Sequence, residues 1–285
     1  MTEILSQDLT FPARDGYTLA ATVVTPQQQP RAVVLINSAT AVPRRIYRGF
    51  AEHLAEHGFA AFTYDYRGVG GSRPPSLKGF PARMRDWAAL DAAAAIDHVR
   101  GVWPAAKLCV VGHSFGGQAV GLVPNNGEIA CALLVASQAA YWRLMYAPER
   151  YRAYGMMRWV GVPVARALGY VPGRLGIGED LPRDVFLEWA GWVGKRRYFF
   201  DDPSLTETAN FPRYRGRLRA IALTDDPWAT APAVDLLCSG FTGTTPQRLN
   251  IDPRDLGVAR IGHFGYFRLE HRDTLWRDAA EWLGG

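Results

Sequence analysis

The stretch Lys107-Leu-Cys-Val-Val-Gly-His-Ser-Phe-Gly-Gly117 decides the fold. Its first half is an apolar run of strand character, and Gly112-His-Ser-Phe-Gly116 has the spacing Gly-x-Ser-x-Gly. A strand that turns this sharply into a helix holds the serine in a strained conformation and exposes its hydroxyl at the carboxyl edge of a sheet. Side chains two residues to either side would collide, which explains Gly112 and Gly116. The helix expected over Phe115 to Leu122 starts with free backbone N–H groups. Ser114 is therefore the candidate nucleophile.

Working outward, strand and helix patterns alternate. Leu9–Pro12 and Tyr17–Thr25 read as a hairpin closed by Arg14-Asp15-Gly16. Strand Arg31–Ile36, helix Tyr47–His57, strand Ala60–Tyr64, helix Asp86–Arg100 and strand Lys107–Val111 follow, then the apolar strand Ile129–Ala136. This alternation predicts an α/β fold, a mostly parallel sheet with helices on both faces. From Gln138 to Asn210 the pattern breaks, and the segment is too long for an ordinary connection. Helix-like stretches at Tyr151–Leu168 and Pro182–Gly194 mark it as an inserted helical cap over Ser114. The expected organisation is core 1–137, cap 138–210 and core 211–285.

A serine nucleophile needs a base and an acid from later strand ends. Among the six histidines, His263 stands out in Ile261-Gly-His-Phe-Gly265, after a strand-like Leu256–Ile261 and before a helix Arg272–Leu283. His53 and His57 are spaced i,i+4, but no third metal ligand is evident in the sequence, and they read as a solvated helix face. His98 suits a helix C-terminus, His113 reads as local packing and His271 as surface. The strand Leu218–Leu223 ends in Thr224-Asp225-Asp226-Pro227-Trp228, so either aspartate could be the acid. Asp65 precedes the nucleophile and reads as part of a turn. In the expected chemistry the base deprotonates Ser114 and the acid fixes the imidazole tautomer. Two N–H groups then bind the oxyanion: Phe115, and Ala39 or Thr40 in the loop Asn37–Pro43.

These motifs together resemble the α/β-hydrolase superfamily. The resemblance rests on Gly112–Gly117, Tyr64-Asp-Tyr-Arg-Gly-Val-Gly-Gly-Ser72, Asp225-Asp-Pro227 and Gly262-His263, and spans nearly the whole chain. Val42-Pro43, Asp86-Trp87, Gly178–Pro182 and Ile261–Gly265 resemble bacterial hydrolases related to the serine aminopeptidase-like and monoglyceride lipase-like groups. The resemblance implies Asp226, which precedes the proline, as the acid. Asp225 remains the alternative, or else caps the helix near Pro232 or bonds within its loop. Many such proteins carry His-Gly where this chain has Asn37-Ser38. The implied activity is hydrolysis of a carboxylic ester or related acyl substrate without a cofactor or metal. Acyl transfer, amide or peptide hydrolysis, and ligand binding without turnover are the rivals.

Trp142, Tyr146, Trp159, Trp189 and Trp192 in the cap, with Trp228 and Phe264, are candidates to line a pocket for a substrate with an apolar part. The 285 residues carry a net charge of +5 and 48% hydrophobic residues, with no apolar run long enough to span a membrane. Arg213, Arg215, Arg217 and Arg219 read as a solvated strand edge, Lys195-Arg-Arg197 as a short basic cluster, and no nucleic-acid module is recognisable. The stretch Met1–Asp8 lacks signal-peptide features. Three cysteines, Cys109 and Cys131 in apolar strands and Cys238, argue against a disulfide framework and for a cytoplasmic setting. Oligomeric state is not legible.

Overall fold

A computed structural model describes residues 3–176 and 178–285; Met1 and Thr2 of the amino-terminal stretch lie outside the described residues. The strands are β1 (Ile4–Pro12), β2 (Thr18–Pro26), β3 (Ala32–Asn37), β4 (Phe59–Tyr64), β5 (Leu108–His113), β6 (Cys131–Val135), β7 (Tyr170–Val171), β8 (Leu181–Pro182), β9 (Arg217–Leu223) and β10 (Gln247–Ile251). Eight of them form one sheet in the order β1-β2-β4-β3-β5-β6-β9-β10. β2 runs antiparallel to both its neighbours, and every pairing from β4 to β10 is parallel. Every residue of β3, β4, β5 and β6 is buried, as expected of strands covered on both faces.

The helices that cover the sheet follow the sequence reading closely. Helix α1 (Arg48–Glu56) is preceded by a tight turn at Arg44–Tyr47, and a helical stretch ending in Ala93–Val102 fills the next crossover. The nucleophile helix is Phe115–Leu122. Between β6 and β9 lie the helices Glu149–Gly155, Val162–Leu168 and Arg183–Val193, the first two joined by a wider turn at Met156–Gly161. β7 and β8 pair as a separate two-residue ribbon within the same excursion. Among the described residues no helix is long and apolar enough to cross a membrane.

Several expectations are corrected. The strand before His263 is β10, Gln247–Ile251, not Leu256–Ile261. Beyond β10, Asp252 caps a short turn at Pro253–Leu256, and Gly257 takes a left-handed φ of 68°, which ends extended structure there. β10 was hidden because its residues are polar and only partly covered. Arg217 and Arg219 lie on β9, which is flanked by β6 and β10 and is no edge. Their guanidinium groups instead stack over Trp282, at 5.0 and 4.9 Å from its ring centroid. Cys109 and Cys131 face one another across the β5–β6 ladder, with Cα atoms 4.7 Å apart and a bond between their sulfurs. An odd cysteine count does not prevent one pair from meeting in register. With this pair bonded, the cysteines do not point to a cytoplasmic setting.

His53 and His271 are also buried, not solvated. His53 packs edge-on against Trp276, their ring centroids 5.7 Å apart. The i,i+4 spacing places His53 and His57 side by side but does not say which way the helix is rolled.

Candidate active site

Ser114 joins β5 to its helix at φ 52° and ψ −115°, a strained conformation that the surrounding contacts must hold in place. Glycine is required around it. A Cβ on Gly116 would lie 2.1 Å from the carbonyl oxygen of Asn37, and one on Gly112 would lie 2.5 Å from Cα of Gly117. Asn37 ties the elbow to β3: its amide donates to the Gly116 carbonyl at 3.2 Å and accepts from the Tyr64 hydroxyl at 2.9 Å. The Ser114 hydroxyl makes no capping bond to its own helix.

His263 sits on a short helical turn, Gly262–Gly265, rather than in an open loop. Its Nδ1 bonds Asp226 Oδ2 at 2.7 Å. Asp226 is fully buried, and its Oδ1 accepts from the N–H groups of Trp228 at 2.8 Å and Ala229 at 3.1 Å. Burial alone would raise its pKa. The charge and hydrogen bond of His263, with the two backbone donors, outweigh burial and hold the carboxyl below its usual range.

Asp225 has a different task. Its carboxylate accepts from the N–H of Ile261 at 2.8 Å and of Gly262 at 2.9 Å. It anchors the turn that carries His263, rather than capping the helix after Pro232. Asp65 likewise meets no histidine; it accepts from the N–H groups of Arg44 at 2.6 Å and Gly71 at 2.8 Å. In the chain alone the imidazole is held through Nδ1, and its Nε2 and Ser114 Oγ are not hydrogen-bonded to each other. Catalytic contacts of this kind often tighten only when substrate is bound.

A second buried chain runs behind these groups. His113 bonds the His263 carbonyl oxygen through Nε2 at 2.9 Å, and Tyr47 Oη through Nδ1 at 2.8 Å. Burial, then the neighbouring His263, pushes the His113 pKa down to about 3, so the ring is neutral near pH 7. A carbonyl can only accept, so Nε2 carries the proton and Nδ1 accepts from Tyr47. The Tyr47 oxygen in turn accepts the Ala39 N–H at 2.9 Å.

This chain corrects one expected oxyanion donor. The Ala39 N–H is already engaged, whereas those of Thr40 and Phe115 have no partner among the described residues. No sequence pattern marks Tyr47 or the bonding of His113.

A cavity of about 220 Å³ opens beside His263, lined in part by Pro227, Trp228, Ile261 and Phe264. The rings of Trp228 and Phe264 lie 5.0 and 4.9 Å from the imidazole. The other expected pocket aromatics do not line it. Trp142 stacks on Tyr154 at 4.8 Å, Trp189 packs against Phe186, and buried Trp192 donates to Asp202 at 2.7 Å. Trp159 is 75% exposed and Tyr146 47% exposed. Trp142, Trp189 and Trp192 thus pack within the excursion, while Trp159 and Tyr146 face solvent.

The comparisons with known proteins agree with this architecture. The sequence profile of the family described as serine aminopeptidase, S33, matches residues 28–185, more than half of the chain. Among solved structures, a soluble variant of monoglyceride lipase from Saccharomyces cerevisiae is similar with a TM-score of 0.69 and 13% identity, covering 99% of this chain and 94% of that one. The esterase domain of a Rhodothermus marinus protein is similar with a TM-score of 0.60 and 15% identity, covering 97% and 98%. A cold-adapted esterase from an Arctic intertidal metagenomic library gives a TM-score of 0.56 at 13% identity, covering 99% and 93%. At such identities these likenesses speak to the fold alone. No curated protein matches the chain in sequence. The profile match and the sheet order together make this chain a member of the serine aminopeptidase S33 family of α/β hydrolases.

Proposed function

We propose that the protein is a serine esterase acting through Ser114, His263 and Asp226. The observation that carries this reading is the buried 2.7 Å Asp226–His263 bond beside the strained Ser114 elbow. Ser114 Oγ attacks the acyl carbonyl while His263 Nε2 takes its proton, and Asp226 stabilises the imidazolium. The oxyanion accepts from the N–H groups of Phe115 and Thr40. His263 then protonates the departing alcohol, leaving an acyl-Ser114 ester. Water, deprotonated by His263, cleaves that ester and releases the acid. This sequence needs neither metal nor cofactor.

In this reading residues 138–210 form a cap over Ser114. Its support is the way the excursion grips the acid loop: Tyr146 N–H donates to the Pro227 carbonyl at 3.0 Å, and Thr230 Oγ1 to the Leu144 carbonyl at 2.6 Å. Trp228 and Phe264 supply apolar contact for one part of the substrate. The test is hydrolysis of p-nitrophenyl esters of graded acyl length by wild type and Ser114→Ala. Turnover that depends on Ser114 is expected, with the length preference sizing the pocket. Equal rates in the two proteins would overturn the reading. Adding an alcohol acceptor separates hydrolysis from acyl transfer, and a p-nitroanilide series separates esters from amides.

A further inference from the structure

The carboxyl end of α1 holds a second cluster of reactive side chains, apart from the triad. His53, Glu56 and His57 each place a potential ligand atom within 4.8 Å of the other two. We propose that these three residues form a binding site for one divalent transition-metal ion of the zinc type.

Three observations support it. His53 is only 3% exposed, yet neither ring nitrogen has a hydrogen-bond partner among the described residues. Buried polar atoms are normally satisfied, and an imidazole with two orphaned nitrogens asks for a ligand. His57 is already oriented for coordination: its Nδ1 lies 2.7 Å from the His53 carbonyl oxygen. Since a carbonyl only accepts, Nδ1 carries the proton, and the exposed Nε2 keeps its lone pair. Backbone contacts of this kind fix the tautomer of metal-binding histidines. Glu56 adds the negative charge; its Oε2 is paired with Arg272, and Oε1 has no partner among the described residues.

The position suits a cation as well. The cluster lies on the last turn of α1, where the helix dipole is negative. Two imidazoles and one carboxylate are a donor set that zinc accepts, with a fourth position left for water. Zinc bonds of about 2.0–2.1 Å would draw the ligand atoms closer than they stand, which the half-buried Glu56 side chain accommodates by rotation while His57 keeps its Nδ1 bond. Arg272 lies in the C-terminal segment, and so does Trp276, against which His53 packs. A bound ion would therefore clamp the carboxyl end of α1 to that segment.

The test is titration of metal-free protein with Co²⁺, read from its visible absorption, and with Zn²⁺ by calorimetry. Thermal unfolding is followed in parallel. Wild type should take up one equivalent with micromolar affinity and unfold at a higher temperature with the metal. His57→Ala and Glu56→Gln, both at accessible positions, should each weaken binding by about tenfold or more and lose the thermal shift. Absence of saturable binding, or binding and a thermal shift unchanged in both variants, would overturn the proposal; in the second case the ion sits elsewhere.

Discussion

Replacing Tyr47 by Phe removes one oxygen and tests the buried chain of hydrogen bonds behind His263. The ring would keep its edge contact with Phe267 at a 4.8 Å centroid separation, so packing changes little. What disappears is the donor to His113 Nδ1 and the acceptor of the Ala39 N–H, at 2.8 and 2.9 Å. Both partners are buried, so water cannot replace the hydroxyl. Each orphaned group costs about 1–3 kcal/mol, giving a loss of about 2–6 kcal/mol. For a domain of this size each kcal/mol lowers the unfolding midpoint by about 2–4 °C, so a fall of about 4–24 °C is expected. His113 also holds the His263 carbonyl, so kcat should fall with little change in KM. Urea unfolding of Tyr47→Phe, His113→Leu and the double variant supplies the measurement. The double variant should be less destabilised than the sum of the singles, since each removes the other's partner. A Tyr47→Phe protein within about 0.5 kcal/mol of wild type, or strict additivity, would refute the chain.

The two aspartates should separate by effect. Asp226→Asn is expected to lower kcat by about 10⁴-fold through loss of the correct imidazole tautomer. Asp225→Ala should instead cost about 1.5–3 kcal/mol of stability for each anchoring bond it loses, with a smaller fall in kcat. The reverse ranking in steady-state kinetics would exchange their roles. Stability should also fall on acidification. The folded pKa of His113, about 3, lies below the unfolded value, so the unfolded chain binds the proton more readily between the two. Its contribution is complete above about pH 6.5 and declines by about 1.4 kcal/mol per pH unit below it. Burial also pushes His53 down to about 4, so urea unfolding at pH 7, 6 and 5 should show a slope that His113→Asn reduces without removing; an equal slope in both would refute the assignment. Finally, Gly116→Ala places a Cβ 2.1 Å from a backbone oxygen and should abolish soluble folded protein or activity. A well-folded, active variant would show that the elbow tolerates what its geometry forbids.

The sheet was legible where burial on both faces forces continuous apolar runs, as in Val33–Ile36 and Leu108–Val111. The elbow was legible because its glycines are demanded by backbone approaches of 2.5 Å or less. β10 was not, because Gln247–Ile251 is polar and lies at the sheet edge, where packing imposes little pattern. The Cys109–Cys131 pairing depends on strand order and register, which cysteine counts do not encode. The choice between Asp225 and Asp226 rested on resemblance to other proteins. The geometry gives it a local cause: one carboxylate meets the imidazole, the other the backbone beneath it. Aromatic side chains in the excursion could not be sorted from sequence, because a small helical layer needs large residues for its own core. Tyr47 carried no signal, since its role exists only once the turn before α1 meets the strand end at His113.

The most direct test of the central claim is labelling with a fluorophosphonate, which phosphonylates an activated serine, followed by peptide mass spectrometry. The account predicts a single adduct on the peptide that contains Ser114. That adduct should be absent from Ser114→Ala and should form at least about 10³-fold more slowly in His263→Ala. Labelling of another serine, or an unchanged rate in His263→Ala, would contradict it.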